Sequence, residues 1–521
     1  MRLSRRQLLG GAGPALLLPV LLARAGRAET HDHGAGLSPD GIGVRRVPFT
    51  PGAPLAEPEV RQSAGGVLET TLRMAYAYRD IGGYRLWVRT YEGMVPGPTL
   101  KLRPGDRLKI HLVNDLPPNR DTMPSYPDQP HHLNTTNLHL HGLHVTPSGI
   151  GDNVMRSMAP GGTYEVEVEI PADHPAGTYW YHPHHHGSAD IQMASGAAGA
   201  LIIEGDFAGV PEIAAARERL LVLGEAVFDG LGTVEGFETL FPETATRFLT
   251  VNGQRAPTIE IRPGEVQRWR LLHAGYQDDL FLQLQGHRLH PIARDGIAMP
   301  GLGLGEVRTA DHAHDAADGM LIVPGQRIDL LVQGGAPGTY ELRALPYDQG
   351  YPSPTGLVAT VVVRGEPAAM RLPAALPPGP FRDIADHEIT NRRQLVFSAD
   401  TPEAEAAGTW REFRFLIDGK VFDPHRVDQR VRLGAVEEWT IVNKHFHDHI
   451  FHIHTNPFQL VRVNGEPVPP VWLDTVVLPR NGSIVFRSRF LDFTGLYMLH
   501  CHMMNHEELG MMQVVEVYSG S

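Results

Sequence analysis

Residues 96–114 read PGPTLKLRPGDRLKIHLVN, and the fold follows from how this stretch repeats. It is a strand, a tight turn at Pro104-Gly105 and a second, apolar strand; Pro-Gly pairs are strong turn signals. The pattern returns as VNGQRAPTIEIRPGEVQRWRLLHAG at 251–275, turning at Pro263-Gly264. A third, more diverged copy, IDGKVFDPHRVDQRVRLGAVEEWTIVN at 417–443, has Leu433-Gly434 in that place. The spacing is about 160 residues, the scale of a β-sandwich with Greek-key connections.

Each copy also closes alike: AGTYWYHPHHHG from Ala176, PGTYELRALPYDQG from Pro337 and TGLYMLHCHMMNH from Thr494. Between opening and closing, Tyr164, Val166, Val168 and Ile170 alternate with Glu165, Glu167 and Glu169. Period-two alternation puts one face of a strand on a core and the other in water. No 3.6-residue period of helix length dominates, which argues against an α/β fold. The expectation is an all-β chain of three Greek-key β-sandwich domains at 60–205, 206–372 and 373–521. Residues 29–59 read as a polar lead-in. PAALPPGP at 373–380 reads as a stiff linker, because Pro-rich sequence favours extended backbone.

A chain of 521 residues exceeds what one core can organise, so several domains are expected. The formal net charge of −13 disfavours nucleic acid or an anionic membrane as partner. Residues 1–28 resemble a twin-arginine signal peptide, with Arg5-Arg6 ahead of a modest apolar run broken by Pro14 and Pro19. Such a run is too interrupted to span a bilayer. Cleavage after Ala25 or Ala28 would remove five Arg and no acid, taking the charge to −18. The mature protein is expected to be soluble, monomeric and periplasmic or secreted, having been exported folded.

The unusual numbers are 28 His beside one Cys, which excludes an internal disulfide. Four His clusters stand out: NLHLHG with His139 and His141, WYHPHHHG with His182 and His184, HIFHIH with His449, His452 and His454, and HCHMMNHEELGM. The last carries His500, Cys501, His502, His506 and Met511. In a strand, residues i and i+2 share a side, so each His-x-His pair can face one metal group. Isolated pairs are weak signals, and HDH at 31–33 and HAHD at 312–315 read as surface loops. The fourth cluster is far more specific. A thiolate from Cys501, imidazoles from His449 and His506 and a weak axial thioether from Met511 make the ligand set of a blue-copper centre. His500 and His502 flank the Cys and point away from it, toward a different metal.

On these motifs the sequence resembles the three-domain multicopper oxidases of cupredoxin-like domains over about residues 60–521, the bacterial laccases, spore-coat laccases and bilirubin oxidases in particular. The resemblance implies four copper ions. Its type 1 copper would take His449, Cys501, His506 and Met511. His139 and His452 match the type 2 ligands, and His141, His182, His184, His454, His500 and His502 match the type 3 pair. It also implies electron transfer from a small reducing substrate to dioxygen, giving water, with phenols or aromatic amines as substrates. Oxidation of Cu(I), Fe(II) or Mn(II) is the alternative, although 381–410 contains no Met where cuprous oxidases carry a Met-rich insertion. Glu507 matches a proton-relay glutamate, and Asp152 matches an acid beside the type 2 copper. His185 and His186 extend their motif without an assigned role. Domain two has Tyr347 and Asp348 where the others carry His pairs, and is expected to be a metal-free spacer.

Overall fold

A computed structural model describes residues 43–120, 123–124, 128–240, 245–299, 319–400 and 413–520. The leader at 1–28 and the His pairs at 31–33 and 312–315 lie outside them. The described residues form strands and turns, with three short α-helices at Ala189–Ala194, Pro211–Ala214 and Met504–Glu508. The fold is all-β, and the strands assemble into six sheets, paired as three cupredoxin-like sandwiches.

The first pair of sheets uses strands between 45 and 203, the second between 217 and 363, and the third between 391 and 518. The repeat read from sequence is a repeat of pairing. In each sandwich the strand after the Gly turn runs parallel to an earlier one: Arg107–Asn114 beside Val67–Ile81, Val266–His273 beside Arg217–Phe228, and Ala435–Asn443 beside Asn391–Ala399. The strand before that turn runs parallel to the last strand of its sandwich in all three. Gly105, Gly264 and Gly434 at those turns have φ of +89°, +72° and +89°, a region costly for residues with a Cβ.

The cores repeat as well. Trp269 and Trp439 occupy matching positions, both are fully buried, and each indole donates to the side chain two residues earlier, Gln267 and Glu437. A buried indole N–H needs such an acceptor, so the repeat preserves the partner along with the ring.

Two stretches are more integrated than the sequence suggests. Arg45 and Arg46, in the lead-in, pair antiparallel with Arg85 and Tyr84, and Leu55 N–H donates to Thr258 O at 2.9 Å. In the Pro-rich stretch, Leu376 is buried with Phe207 and Ile213. A single apolar side chain docked in a neighbouring core is invisible to a composition-based reading.

The His pairs sit on adjacent strands. His139–His141 pairs antiparallel with Gly177–His182, with His139 opposite His182. His449–Ile453 pairs with Gly495–Cys501, with His452 opposite His500 and Phe451 opposite Cys501. In the middle sandwich, Leu280–Leu284 pairs with Gly338–Leu345 and places Phe281 opposite Leu345 and Leu282 opposite Ala344. Those two facing pairs are apolar.

Candidate metal centres

One cluster joins His449, Cys501 and His506. The two Nδ1 atoms lie 3.1 Å apart, and Cys501 Sγ lies 3.5 Å from His449 Nδ1 and 3.7 Å from His506 Nδ1. All three residues are buried. Met511 is fully buried, and its backbone ties it to the cluster: its carbonyl accepts from Cys501 N–H and its N–H donates to His506 O, both at 3.0 Å. Burial pushes the Cys501 thiol up to about 12. A soft cation is therefore needed to ionise it, as metal coordination does.

The second cluster gathers eight imidazoles from the first and third sandwiches. Nε2 of His184 lies 3.1 Å from Nε2 of His500 and 3.2 Å from Nε2 of His454, and the latter two are 3.3 Å apart. Nδ1 of His141 lies 3.4 Å from Nε2 of His182 and 3.3 Å from Nε2 of His502. Nε2 of His139 and Nε2 of His452 are buried without a hydrogen-bond partner. His139 and His452 lie close enough to share an ion with His454. Buried nitrogens facing one another at contact distance, with none donating a satisfied bond, fit metal ions and little else. Burial first, and then the neighbouring rings, holds His139, His141, His182, His452, His454 and His502 well below the usual histidine range. Both effects favour the neutral ring, the form that can coordinate a metal.

The outward nitrogens are fixed by acceptors, and this selects which nitrogen faces inward. His139 Nδ1 lies 3.0 Å from Asp152 Oδ2, and Leu140 N–H donates to Asp152 Oδ1 at 2.8 Å. His182 Nδ1 lies 2.9 Å from Pro183 O, and His452 Nδ1 lies 2.7 Å from Asp474 O. His500 Nδ1 lies between Cys501 O at 3.0 Å and Glu507 Oε2 at 2.9 Å. Glu507 Oε1 is 3.5 Å from His184 Nδ1. Burial raises the Asp152 carboxyl to about 7, against the Leu140 N–H bond. Burial also acts to raise Glu507, but the rings of His500 and His184 outweigh it and hold the carboxyl down to about 2.

Every histidine read as a ligand, and Cys501, falls in one of these two clusters; Met511 adjoins the first through its backbone, and Asp152 and Glu507 lie against the rings. His185 and His186 do not join them. His186 lies between Asp128, 3.5 Å from its Nε2, and Glu508, 3.6 Å from its Nδ1, with its ring against Phe422. Tyr347, in the middle sandwich, donates to Asp448 Oδ2 at 3.1 Å, next to His449. Sequence reasoning missed His445 and His447, whose rings lie 4.6 Å apart, with His445 5.2 Å from His449 and His447 6.3 Å from His506. Their His-x-His-x-His continuity with His449 was the available signal. It also missed Asp474 and Thr475, which no motif marks.

Three family models, each described as multicopper oxidase, match residues 131–207, 178–367 and 391–521. The multicopper oxidase mco of Staphylococcus epidermidis is 25% identical over 440 residues, covering 82% of this chain and 83% of that protein. A laccase of Bacillus stratosphericus is 26% identical over 505 residues, covering 84% and 92%. Among solved structures, a multicopper oxidase from Campylobacter jejuni, described as a metallo-oxidase, superposes with a TM-score of 0.73 at 25% identity, covering 91% of this chain and 98% of that one.

Proposed function

Because this chain belongs to the multicopper oxidase family and is a copper-dependent oxidoreductase, we propose that it works as a laccase, oxidising phenols or aromatic amines by single electrons and reducing dioxygen to water. The observation that carries the reading is the run His500-Cys501-His502. Its sulfur belongs to one cluster, and its two imidazoles belong to the two His triads of the other. In this reading His449, Cys501, His506 and Met511 hold a type 1 copper, His139 and His452 a type 2 copper, and the six remaining histidines a type 3 pair. Copper so bound would supply one-electron chemistry at Cys501 and multi-electron chemistry toward dioxygen among the eight imidazoles.

The protein's own part is electronic connection and proton handling. Cys501 links covalently to His500, whose Nε2 faces His184 and His454, and to His502, whose Nε2 faces His141. The route from sulfur to the second cluster therefore runs through bonded atoms. Glu507, fully buried against His184 and His500, is a carboxylate that can take up a proton and pass it inward. Asp152, held by Leu140 N–H against His139, fixes that ring and offers a second carboxyl beside the cluster.

Oxidation of a metal ion is the alternative reading, supported by His445 and His447 beside the His449 and His506 rings and by the likeness to a structure described as a metallo-oxidase. Oxygen uptake with a dimethoxyphenol and with Cu(I) as alternative reductants separates the two. Turnover dominated by Cu(I), with the phenol near background, would overturn the laccase reading. The Arg5-Arg6 leader supports export in the folded, metal-loaded state. Detecting the protein only in the cytoplasm would overturn that part.

A further inference from the structure

Arg327 is fully buried, yet it belongs to the middle sandwich, whose described residues contribute no ligand to either cluster. Its Nη1 and Nη2 donate to Asp474 Oδ1 and Oδ2 at 2.8 and 2.5 Å, a bidentate fork from the second sandwich to the third. Its Nε donates to Thr178 O at 3.1 Å, in the first sandwich, and Nη1 also donates to Gly325 O at 3.0 Å. One guanidinium thus joins all three sandwiches. Asp295 completes the frame from below: Oδ1 accepts Arg327 N–H, and Oδ2 accepts the N–H groups of Asp474 and Thr475, each at 3.1 Å.

The frame bears on two ligand rings. Asp474 Oδ1 lies 3.2 Å from His141 Nε2, and Asp474 O lies 2.7 Å from His452 Nδ1. Thr475 Oγ1 lies 3.2 Å from both nitrogens and donates to Asp474 Oδ1 at 2.8 Å. His141 differs from its neighbours in that its Nδ1, not its Nε2, faces the other ligands. That orientation requires the proton on Nε2, and Asp474 is the acceptor that keeps it there. The space is reserved by Gly142 (φ +85°), where a Cβ would collide with Arg327 and Asp474.

We propose that Arg327 is a positioning residue for the three-copper site: through Asp474 it sets the tautomer of His141 and the ring of His452, so a side chain of the middle sandwich acts on the metals without touching them. The inference rests on His141 and His452 being copper ligands. It does not depend on which substrate is oxidised.

The test uses the full-length copper-loaded protein and the variants R327K and D474N. Lysine keeps the charge but not the two-pronged fork. Asparagine keeps the size of Asp474 but turns an amide N–H₂ donor toward a partner that only donates. Each variant is dialysed against a graded chelator, and copper content and the blue absorption of the Cys501 centre are read separately. The expected result is selective loss: copper leaves the eight-His cluster at about 10–100-fold lower chelator, while blue absorption per chain follows the wild type. Thermal unfolding of the copper-free proteins shows whether stability alone has changed. Retention of all copper at the wild-type chelator midpoint in both variants would overturn the proposal. So would loss of blue and non-blue copper in parallel, the mark of a purely structural contact. A wild-type protein that never binds more than the blue copper would instead remove the ligand assignment beneath it. If R327K does not fold, D474N decides.

Discussion

The ring of Phe415 lies flat on the ring of His506, with centroids 4.0 Å apart and planes inclined by 20°. Phe415 comes from the strand Phe415–Ile417, and its backbone N–H donates to Leu509 O at 2.9 Å, just beyond the helix that carries His506. His506 is thereby shielded from solvent on one face. In F415A the shield is gone. The variant should lose about 3–5 kcal/mol of stability, as core Phe-to-Ala changes do, and the anaerobic bleaching of the blue colour by a phenol should speed up. Urea melts and stopped-flow absorbance measure the two effects. Unchanged bleaching would place electron entry at another ligand.

Replacing Cys501 with Ser should abolish the blue colour and substrate oxidation together. The eight imidazoles of the other cluster are untouched, so copper content should fall by only the blue ion. Elemental analysis and visible absorption check this. Intense colour with near-normal turnover would remove Cys501 from the electron route.

Glu507 touches His500 and His184 through opposite oxygens. E507Q keeps its size while removing the exchangeable acid. Reoxidation of the fully reduced variant by dioxygen should slow by about 10²–10⁴, the usual worth of general acid catalysis. Anaerobic reduction of the blue centre should not change. Stopped-flow mixing with dioxygen reads the first, and reoxidation at the wild-type rate would leave Asp152 as the better relay.

Away from the metals, Asp206 accepts from Arg268 and Arg270, and both arginines also pair with Asp329. Burial acts to raise Asp206, but Arg270 and Arg268 prevail and hold it down to about 2. A depressed carboxyl stabilises the fold above its unfolded pKa of about 3.9, and that stability drains away as pH falls toward its folded value. D206N should therefore be less stable than wild type at neutral pH by about 2 kcal/mol, with the gap closing below about pH 3. Urea midpoints across this range give the measurement, and a gap independent of pH would show that shape, not charge, matters there.

The clustered histidines and Cys501 were legible because their spacing is local. His-x-His on a strand is a statement about neighbours, and His500-Cys501-His502 fits two sites into three residues. Asp152 and Glu507 came only from resemblance, since a lone acid in a loop or after a ligand has no spacing to read. Asp474 and Arg327 were not legible at all. They are 147 residues apart, and Asp474 is 333 from His141. Their roles exist only once three sandwiches have closed on one another, and no local pattern encodes that closure. His445 and His447 were legible in principle, as an extension of the His449 run.

His184 and His500, whose nitrogens lie 3.1 Å apart, are separated by 316 residues of chain. As the polypeptide emerges during synthesis, the first four histidines of the large cluster are made early and wait for their partners until the strand Gly495–Cys501 has appeared. The only thiol arrives in that same strand. A chain interrupted anywhere before it has neither complete cluster, and so has no means of passing electrons to oxygen. On the proposed function, activity therefore works as a completeness check: a chain that stops short of this strand lacks both clusters.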